Sequence, residues 1–230
     1  MRAYGWELVY LARHGQTEWN ARGLRQGQLD SPLTPLGVAQ AHGHAAALRD
    51  ETVDAVFTSP LGRARSTAQI TADSLGLPVV VIDDLAEVHH GSFAGLSDQD
   101  IEDRHPGELA RRAADKYRWS FPEGESYADA DVRAGRALAE LRAYSAQRPL
   151  IVAHEMINRM LQRHLLGLDP HDALAIRQPN HVIYVIDPRT RTRRELVAQR
   201  QGAGGHQSRD SGQSPAPHPA DHRADGLSPP

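Results

Sequence analysis

The sequence predicts an α/β fold, a three-layer sandwich in which a mainly parallel central sheet carries helices on both faces. Two observations predict it. Short apolar runs, typical of strands buried on both faces, recur along the first 200 of the 230 residues. Between them lie longer segments with apolar residues at helical spacing. This alternation is typical of parallel sheets, because parallel strands need a long crossover connection.

Each element follows from a local signal, taken in chain order. The apolar runs predict five strands, at 8–12, 55–57, 79–82, 150–153 and 182–186. Helical spacing predicts four helices between successive strands, at 35–49, 61–75, 127–144 and 156–166. Thr34 and Ser126 are expected N-caps, Pro35 occupies a first helical position, and Gly76 is expected to end the second helix.

The composition is that of a soluble globular protein, with 40% apolar and 24% charged residues and a formal net charge of -3. This weak charge gives no reason to expect a nucleic-acid partner or an anionic membrane surface. Because the sequence has no cysteine, disulfides, thiolate catalysis and cysteine metal sites are excluded. No apolar stretch approaches the roughly 20 residues of a membrane span, and the N-terminus lacks a signal-peptide pattern. We therefore expect a cytoplasmic protein.

The composition changes near residue 200, which predicts a domain boundary. Residues 1–200 are expected to form one catalytic domain. Residues 201–230 are rich in Gly, Ser and Pro and nearly free of large apolar side chains. Such a segment cannot bury enough surface to offset the entropy of ordering it, so we expect a disordered tail.

Polar residues directly after the strands are the candidate site, because α/β sheets bind ligands beyond the carboxyl ends of their strands. Arg13 and His14 follow the first strand, Arg63 lies just after the second, and His154 follows the fourth. These cations would form a compact pocket for a phosphoryl group. Glu87, after the third strand, adds a carboxylic acid. Nucleophile, charge clamp and proton donor are the minimum set for phosphoryl transfer.

Five segments in this order resemble the histidine phosphatase superfamily, in the branch related to cofactor-dependent phosphoglycerate mutase. They are RHGQTEWN at 13–20, GQLDSPLTPLG at 27–37, SPLGRARSTA at 59–68, the acidic loop at 85–95 and VAH at 152–154. The Arg-His-Gly triplet alone would be a weak signal, but the ordered set, spread over roughly 7–197, is a strong one.

The resemblance implies a role for two catalytic residues. His14 would be the nucleophile and would carry the phosphoryl group as a phosphohistidine. It must attack as neutral imidazole, so its other ring nitrogen should donate to a backbone carbonyl. Glu87 would protonate the leaving oxygen and then take a proton from the water that hydrolyses the intermediate.

The resemblance also implies a set of phosphate-binding residues. Arg13, Arg63 and His154 would stabilise charge on the phosphoryl oxygens, and Asn20 and Gln26 would add neutral hydrogen bonds. The mutases usually carry Thr where this chain has Gln26, and Gln there resembles the phosphatase members. No metal and no other cofactor is implied, because the arginines supply the charge that a magnesium ion would otherwise provide.

These features predict a phosphatase that hydrolyses small phosphate monoesters, with sugar or hydroxy-acid phosphates favoured. The alternative is a phosphoglycerate mutase, which by resemblance carries a longer basic insertion after the acidic loop. The segment 97–124 is short here, and its four cations are interpreted as a mainly solvated helix face: Arg111, Arg112, Lys116 and Arg118. A third possibility is a non-catalytic phospho-ligand binding protein. The sequence carries no signal for oligomeric state.

Some residues beside the motifs leave alternatives open. Either His89 or His90 could face the substrate pocket, or both could lie on the surface. The family commonly has Gly after the second histidine, whereas this chain has Glu155. Glu155 could point outward, pair with Arg159, or contact the substrate, and we expect it to influence specificity more than chemistry.

Overall fold

A six-stranded mixed sheet organises residues 5–198, the part of the chain that the computed structural model describes. Its strands are β1 (Val9–Arg13), β2 (Ala55–Thr58), β3 (Val79–Val81), β4 (Pro149–Ala153), β5 (Val182–Asp187) and β6 (Thr192–Val197). Their order across the sheet is β3-β2-β4-β1-β5-β6. The first four strands of this order are parallel, whereas β5 runs antiparallel to β1 and β6 antiparallel to β5.

Helices cover both faces of the sheet. They are α1 (Glu18–Ala21), α2 (Pro35–Ala47), α3 (Gly62–Leu75), α4 (Asp98–Arg104), α5 (Glu108–Ala114), α6 (Tyr127–Leu141), α7 (Glu155–Leu166) and α8 (Pro170–Ala175). Helices α2 and α3 pack together, as do α6 and α7. Within residues 5–198 no helix is both long and apolar enough to cross a membrane. The predicted α/β sandwich is confirmed, and the tail predicted at 201–230 lies outside the described residues.

The two faces of the central strands bury different side chains. On β4, Leu150 and Val152 belong to the core that includes Ala68 of α3. Ile151 and Ala153 point the other way and belong to the core that includes residues of α6 and α7. Alternate residues of a strand lie on opposite faces, so burial on both faces requires an unbroken apolar run. This is why β1 and β4 could be recognised from sequence.

The predicted helix caps agree with the structure. Thr34 accepts a hydrogen bond from the Gly37 N–H, and Ser126 forms a capping box with Asp129. Gly76 ends α3 in the left-handed conformation that glycine favours. The helix predicted at 127–144 is shorter than expected and ends at Leu141.

Strand β6 escaped prediction for a physical reason. Five of its six residues are exposed, so it has no apolar run. The short helices α1, α4, α5 and α8 were also not predicted. Helices of four to seven residues contain too few turns to show a periodic pattern.

The strand order places the carboxyl ends of β2, β4 and β1 side by side. In register, Arg13 lies opposite Ala153 and Thr58 opposite Val152. Residues that follow these three strands are far apart in the chain, but they meet at one edge of the sheet. The fold therefore brings together the groups that the sequence placed after the strands.

The loop after β1 packs backbone against backbone on the first turn of α2. A Cβ atom at Gly37 would collide with the carbonyl oxygen of Gln16, and one at Gly15 would collide with the carbonyl oxygen of Gly37. Only glycine at both positions permits this approach. It fixes the loop that carries His14.

Gly37→Ala should lower the free energy of unfolding by roughly 1–3 kcal/mol, because the added methyl group forces the loop away from α2. Helix propensity alone predicts the opposite sign, a gain of about 1 kcal/mol. Urea denaturation would measure the change. Gly135→Ala in α6 is the matched control, since its Cβ would make only ordinary contact with His164. Equal effects of the two substitutions would contradict this account.

Candidate active site

A cavity of about 130 Å³ opens at the carboxyl edge of the sheet. It has room for about four water-sized groups. Six of the seven predicted site residues line it: Arg13, His14, Asn20, Gln26, Arg63 and Glu87. The seventh, His154, is fully buried with its ring centroid 5.1 Å from that of His14. The tertiary structure thus gathers all seven.

His14 is held as a neutral imidazole with a defined tautomer. Its Nδ1 lies 2.8 Å from the carbonyl oxygen of Gly15, which can only accept, so Nδ1 carries the proton. Its Nε2 accepts a hydrogen bond from Nε of Arg63 at 3.3 Å. Burial, together with the charges of Arg13 and Arg63, holds the pKa of His14 well below its usual range. The Nε2 lone pair is therefore present at neutral pH.

The Ser59 hydroxyl is the hydrogen-bond partner of His154 Nε2. The Ser59 hydroxyl accepts from the Leu61 N–H and lies 2.7 Å from Nε2 of His154. With its own proton directed at Nε2, the Ser59 hydroxyl would place the His154 proton on Nδ1. Within the described residues this buried Nδ1 has no hydrogen-bond partner. It is a donor beside His14 that suits a phosphoryl oxygen.

Sequence reasoning did not assign Ser59 a role. The residue follows β2 directly in the SPLGR segment, and that position was the available signal. What the sequence could not show is its contact with His154, which lies 95 positions further along the chain.

Arg13 presents one edge of its guanidinium for a ligand. Its Nη1 is occupied by the carbonyl oxygen of Gln178 at 3.2 Å and by the Glu155 carboxylate at 2.8 Å. Its Nε is buried and has no partner among residues 5–198. Nε and Nη2 form the edge that binds oxyanions with two parallel hydrogen bonds. The contacts on Nη1 therefore orient Arg13 for phosphate.

Arg63 is anchored by backbone carbonyls. Its Nη2 donates to Gly27 at 2.7 Å, and its Nη1 donates to Leu29 at 2.8 Å and to the Asp30 carboxylate at 3.1 Å. Only 2% of Arg63 is exposed. Because almost every donor is directed by the protein, the charge of Arg63 cannot move away from His14.

Asn20 and Gln26 are organised around the hydroxyl of Thr17. Thr17 Oγ1 accepts from the Asn20 backbone N–H at 3.1 Å, and the Gln26 amide lies 2.5 Å from it. Gln26 Nε2 donates to this hydroxyl, and the Thr17 backbone N–H donates to Asn20 Oδ1 at 3.2 Å. Both amides are thus positioned beside the cationic groups.

The Glu87 carboxyl group is held by three backbone N–H groups. Oε1 accepts from Val88 at 2.9 Å and from Ile157 at 3.0 Å, and Oε2 accepts from Met156 at 3.2 Å. Met156 and Ile157 belong to the first turn of α7, whose partial positive charge suits a carboxylate. Glu87 is therefore fixed at the cavity and able to exchange a proton with a group bound there.

The adjacent histidines His89 and His90 differ in burial. His90 is buried, lines the cavity and stacks on Phe121 with ring centroids 4.4 Å apart. Burial, with a smaller effect of nearby arginines, lowers the pKa of His90 to about 3. His89 is exposed, so of the two residues His90 is the one that faces the pocket.

The expectation that the four cations of the segment 97–124 lie on a mainly solvated helix face is only half correct. Arg111 and Arg118 are exposed. In contrast, Arg112 and Lys116 are partly buried, over the rings of Phe121 and Tyr127. The amphipathic stems of these cations let them cover aromatic surface, which their spacing in the sequence did not reveal.

Residues 9–200 match the histidine phosphatase superfamily (branch 1), and the chain belongs to this family. It is 39% identical to the "Probable phosphoglycerate mutase GpmB" of Yersinia enterocolitica over 183 residues, which covers 78% of this chain and 84% of that protein. Among solved structures, the α-ribazole phosphatase of Shigella flexneri superposes with a TM-score of 0.75 at 28% identity, covering 84% of this chain and 96% of the other.

A mycobacterial glucosyl-3-phosphoglycerate phosphatase gives a TM-score of 0.72 at 31% identity, covering 78% of this chain and 92% of the other. The family and these phosphatase neighbours support classification of this chain as a phosphoric-monoester hydrolase.

Ser59→Ala should release the tautomer of His154, because Nε2 loses the donor that faces it. We expect phosphate release to fall about 10-fold, the usual cost of a lost hydrogen bond that orients a site residue. Nitrogen NMR shifts of the His154 ring would report the tautomer directly. A variant with lower activity but an unchanged His154 tautomer would contradict the assignment.

Below about pH 6.5 the chain should bind protons when it unfolds. His14 and His154 are buried with pKa values well below the usual range, and burial lowers the pKa of His44 to about 4 and that of His90 to about 3. Each regains a pKa near 6.5 when unfolded. The unfolded chain then binds more protons, and stability falls as the pH drops from 6.5 toward 4.

Urea midpoints between pH 7.5 and 5 would measure this slope. Each histidine contributes up to about 1.4 kcal/mol per pH unit. His44→Gln should reduce the slope by the contribution of one histidine, because glutamine does not titrate. Glutamine can still donate to the Asn180 carbonyl oxygen that His44 Nε2 contacts, so the substitution keeps this hydrogen bond. A stability that is flat over this range would contradict the prediction.

Proposed function

We propose that this protein hydrolyses small phosphate monoesters through a phosphohistidine on His14 Nε2, without a metal ion. The observation that carries the proposal is the pairing of a neutral His14 with buried donors that lack a protein partner, Arg13 Nε and His154 Nδ1. A tetrahedral dianion is the ligand whose oxygens suit these donors. Family membership and the phosphatases of similar structure support the same reaction.

In the first step the Nε2 lone pair of His14 attacks phosphorus as the bond to the ester oxygen breaks. Arg13, Arg63 and His154 stabilise charge on the three equatorial oxygens, assisted by the amides of Asn20 and Gln26. Glu87, in its protonated form, gives its proton to the leaving oxygen, so the product is a neutral alcohol.

In the second step a water molecule attacks the phosphohistidine on the same line. The Glu87 carboxylate takes a proton from this water, and the bond between phosphorus and Nε2 breaks. Inorganic phosphate leaves, His14 recovers its neutral imidazole, and Glu87 is again protonated for the next cycle. The three N–H groups that hold Glu87 suit its ionised form between the two steps.

The arginines supply the charge that these steps require, which is why we propose chemistry that needs neither a metal nor another cofactor. We propose a small monoester such as a sugar or hydroxy-acid phosphate, whose phosphoryl group the cavity of about 130 Å³ would hold. We propose a small-molecule partner, without nucleic acid or membrane, and a cytoplasmic location.

A phosphoglycerate mutase is the second candidate, because the curated relatives include the "Probable phosphoglycerate mutase GpmB". A mutase returns the phosphoryl group to its substrate and must therefore exclude water from the phosphohistidine. The short segment 97–124 and Gln26 favour hydrolysis. Interconversion of phosphoglycerates with negligible phosphate release would decide for the mutase.

His14→Ala should lower phosphate release at least about 10³-fold over a panel of metabolite monoesters, because the nucleophile is lost. Rapid acid-free quenching with a ³²P-labelled substrate should trap radiolabel on the wild-type chain and none on the variant. His171→Ala is the matched control, since the His171 side chain is 96% exposed and lies outside the cavity. Activity that survives in His14→Ala would overturn the mechanism, as would full inhibition of the wild type by a metal chelator.

A further inference from the structure

We propose that Glu155 is a built-in counter-anion that selects monoesters whose alcohol portion is uncharged over those that carry a second acidic group. This inference rests on the proposed function, since it concerns the substrate of the same site. It narrows that function to polyol and sugar phosphates and disfavours phosphates of hydroxy acids.

Glu155 joins two cations at the wall of the cavity. Its Oε2 lies 2.8 Å from Nη1 of Arg13, and its Oε1 lies 2.9 Å from Nη2 of Arg159. Arg159 is fixed in turn by the Tyr127 hydroxyl at 2.6 Å and by the carbonyl oxygen of Ile176 at 2.7 Å. Because Arg159 is itself anchored, the Glu155 carboxylate is held at the wall of the cavity.

The contact with Arg13 does not compete with the phosphoryl group. Glu155 takes Nη1, whereas the phosphate-binding edge of Arg13 is formed by Nε and Nη2. Glu155 also lines the cavity, on the Nη1 side of Arg13. An acidic substituent of the substrate would be drawn to this position by the cations around it.

Those cations are numerous on this side of the site. Arg112 and Lys116 are partly buried and make no ion pair within residues 5–198. Burial, with the charges of Arg159 and Arg112, lowers the pKa of Lys116 to about 8. Without Glu155 this wall would attract a second anion. With it, a substrate carboxylate would meet a fixed carboxylate, and like charges that close together disfavour binding.

Glycerol 3-phosphate and 3-phosphoglycerate are the matched substrate pair, because they differ only in a hydroxymethyl group against a carboxylate. Glu155→Gln keeps the shape of the side chain and removes its charge. We expect it to shift the ratio of kcat/KM toward 3-phosphoglycerate at least about 10-fold, mainly through KM. Glu140→Gln makes the same change of charge at an exposed position of α6 and should leave the ratio unaltered.

Two outcomes would overturn the inference. One is an unchanged ratio in Glu155→Gln, and the other is an equal loss on both substrates, which would mean that Glu155 only positions Arg13. Calorimetric affinities of His14→Ala for the two phosphates, with and without Glu155→Gln, give the same ratio without turnover. A shifted affinity ratio in a protein whose wild type releases no phosphate would support the inference and refute the proposed function.

Discussion

The buried contact between Arg63 and His14 is the interaction on which the rest of the site depends. Arg63 comes from the first turn of α3 and His14 from the end of β1, while the carbonyls that hold Arg63 belong to the segment 27–30. One guanidinium thus joins three parts of the chain. Its charge also helps to keep His14 neutral, because a second positive charge beside it would be costly where water is excluded. The same guanidinium therefore anchors the segment 27–30 and helps to keep the nucleophile His14 neutral.

This arrangement explains why the carboxylates lie where they do. Positive charge is concentrated at the centre, and both acidic groups that line the cavity are fixed in place: Glu87 by the N–H groups of Val88 and of the start of α7, and Glu155 by Arg13 and Arg159. Helix α7 begins directly after His154. It carries Glu155 and supplies two of the N–H groups that hold Glu87. A carboxylate free to swing into the centre would repel a phosphoryl dianion, so the fixed hydrogen bonds of Glu87 and Glu155 protect anion binding.

Proteins of similar structure differ in the substrates that their names specify. An α-ribazole phosphatase and a glucosyl-3-phosphoglycerate phosphatase share this fold at TM-scores above 0.7, although their names specify different substrates. A common fold therefore does not identify the alcohol that leaves. In this chain Glu155, beside Arg13, is the residue that we propose to discriminate between alcohols, and His90, stacked on Phe121, lines the same cavity.

The sequence by itself determined the strands that are buried on both faces, the capped helices and the identity of the residues at the strand ends. These features are local: an apolar run, a Thr-Pro start or a terminal Gly acts on its own neighbours. Tertiary structure decided the direction of β5, the existence of exposed β6, the tautomer of His154 and the partners of Glu155. Each depends on groups distant in the chain, as with Ser59 and His154, or on charges whose effect requires burial. Local pattern and the family resemblance therefore predicted which residues meet at the cavity, and only packing determined their orientation.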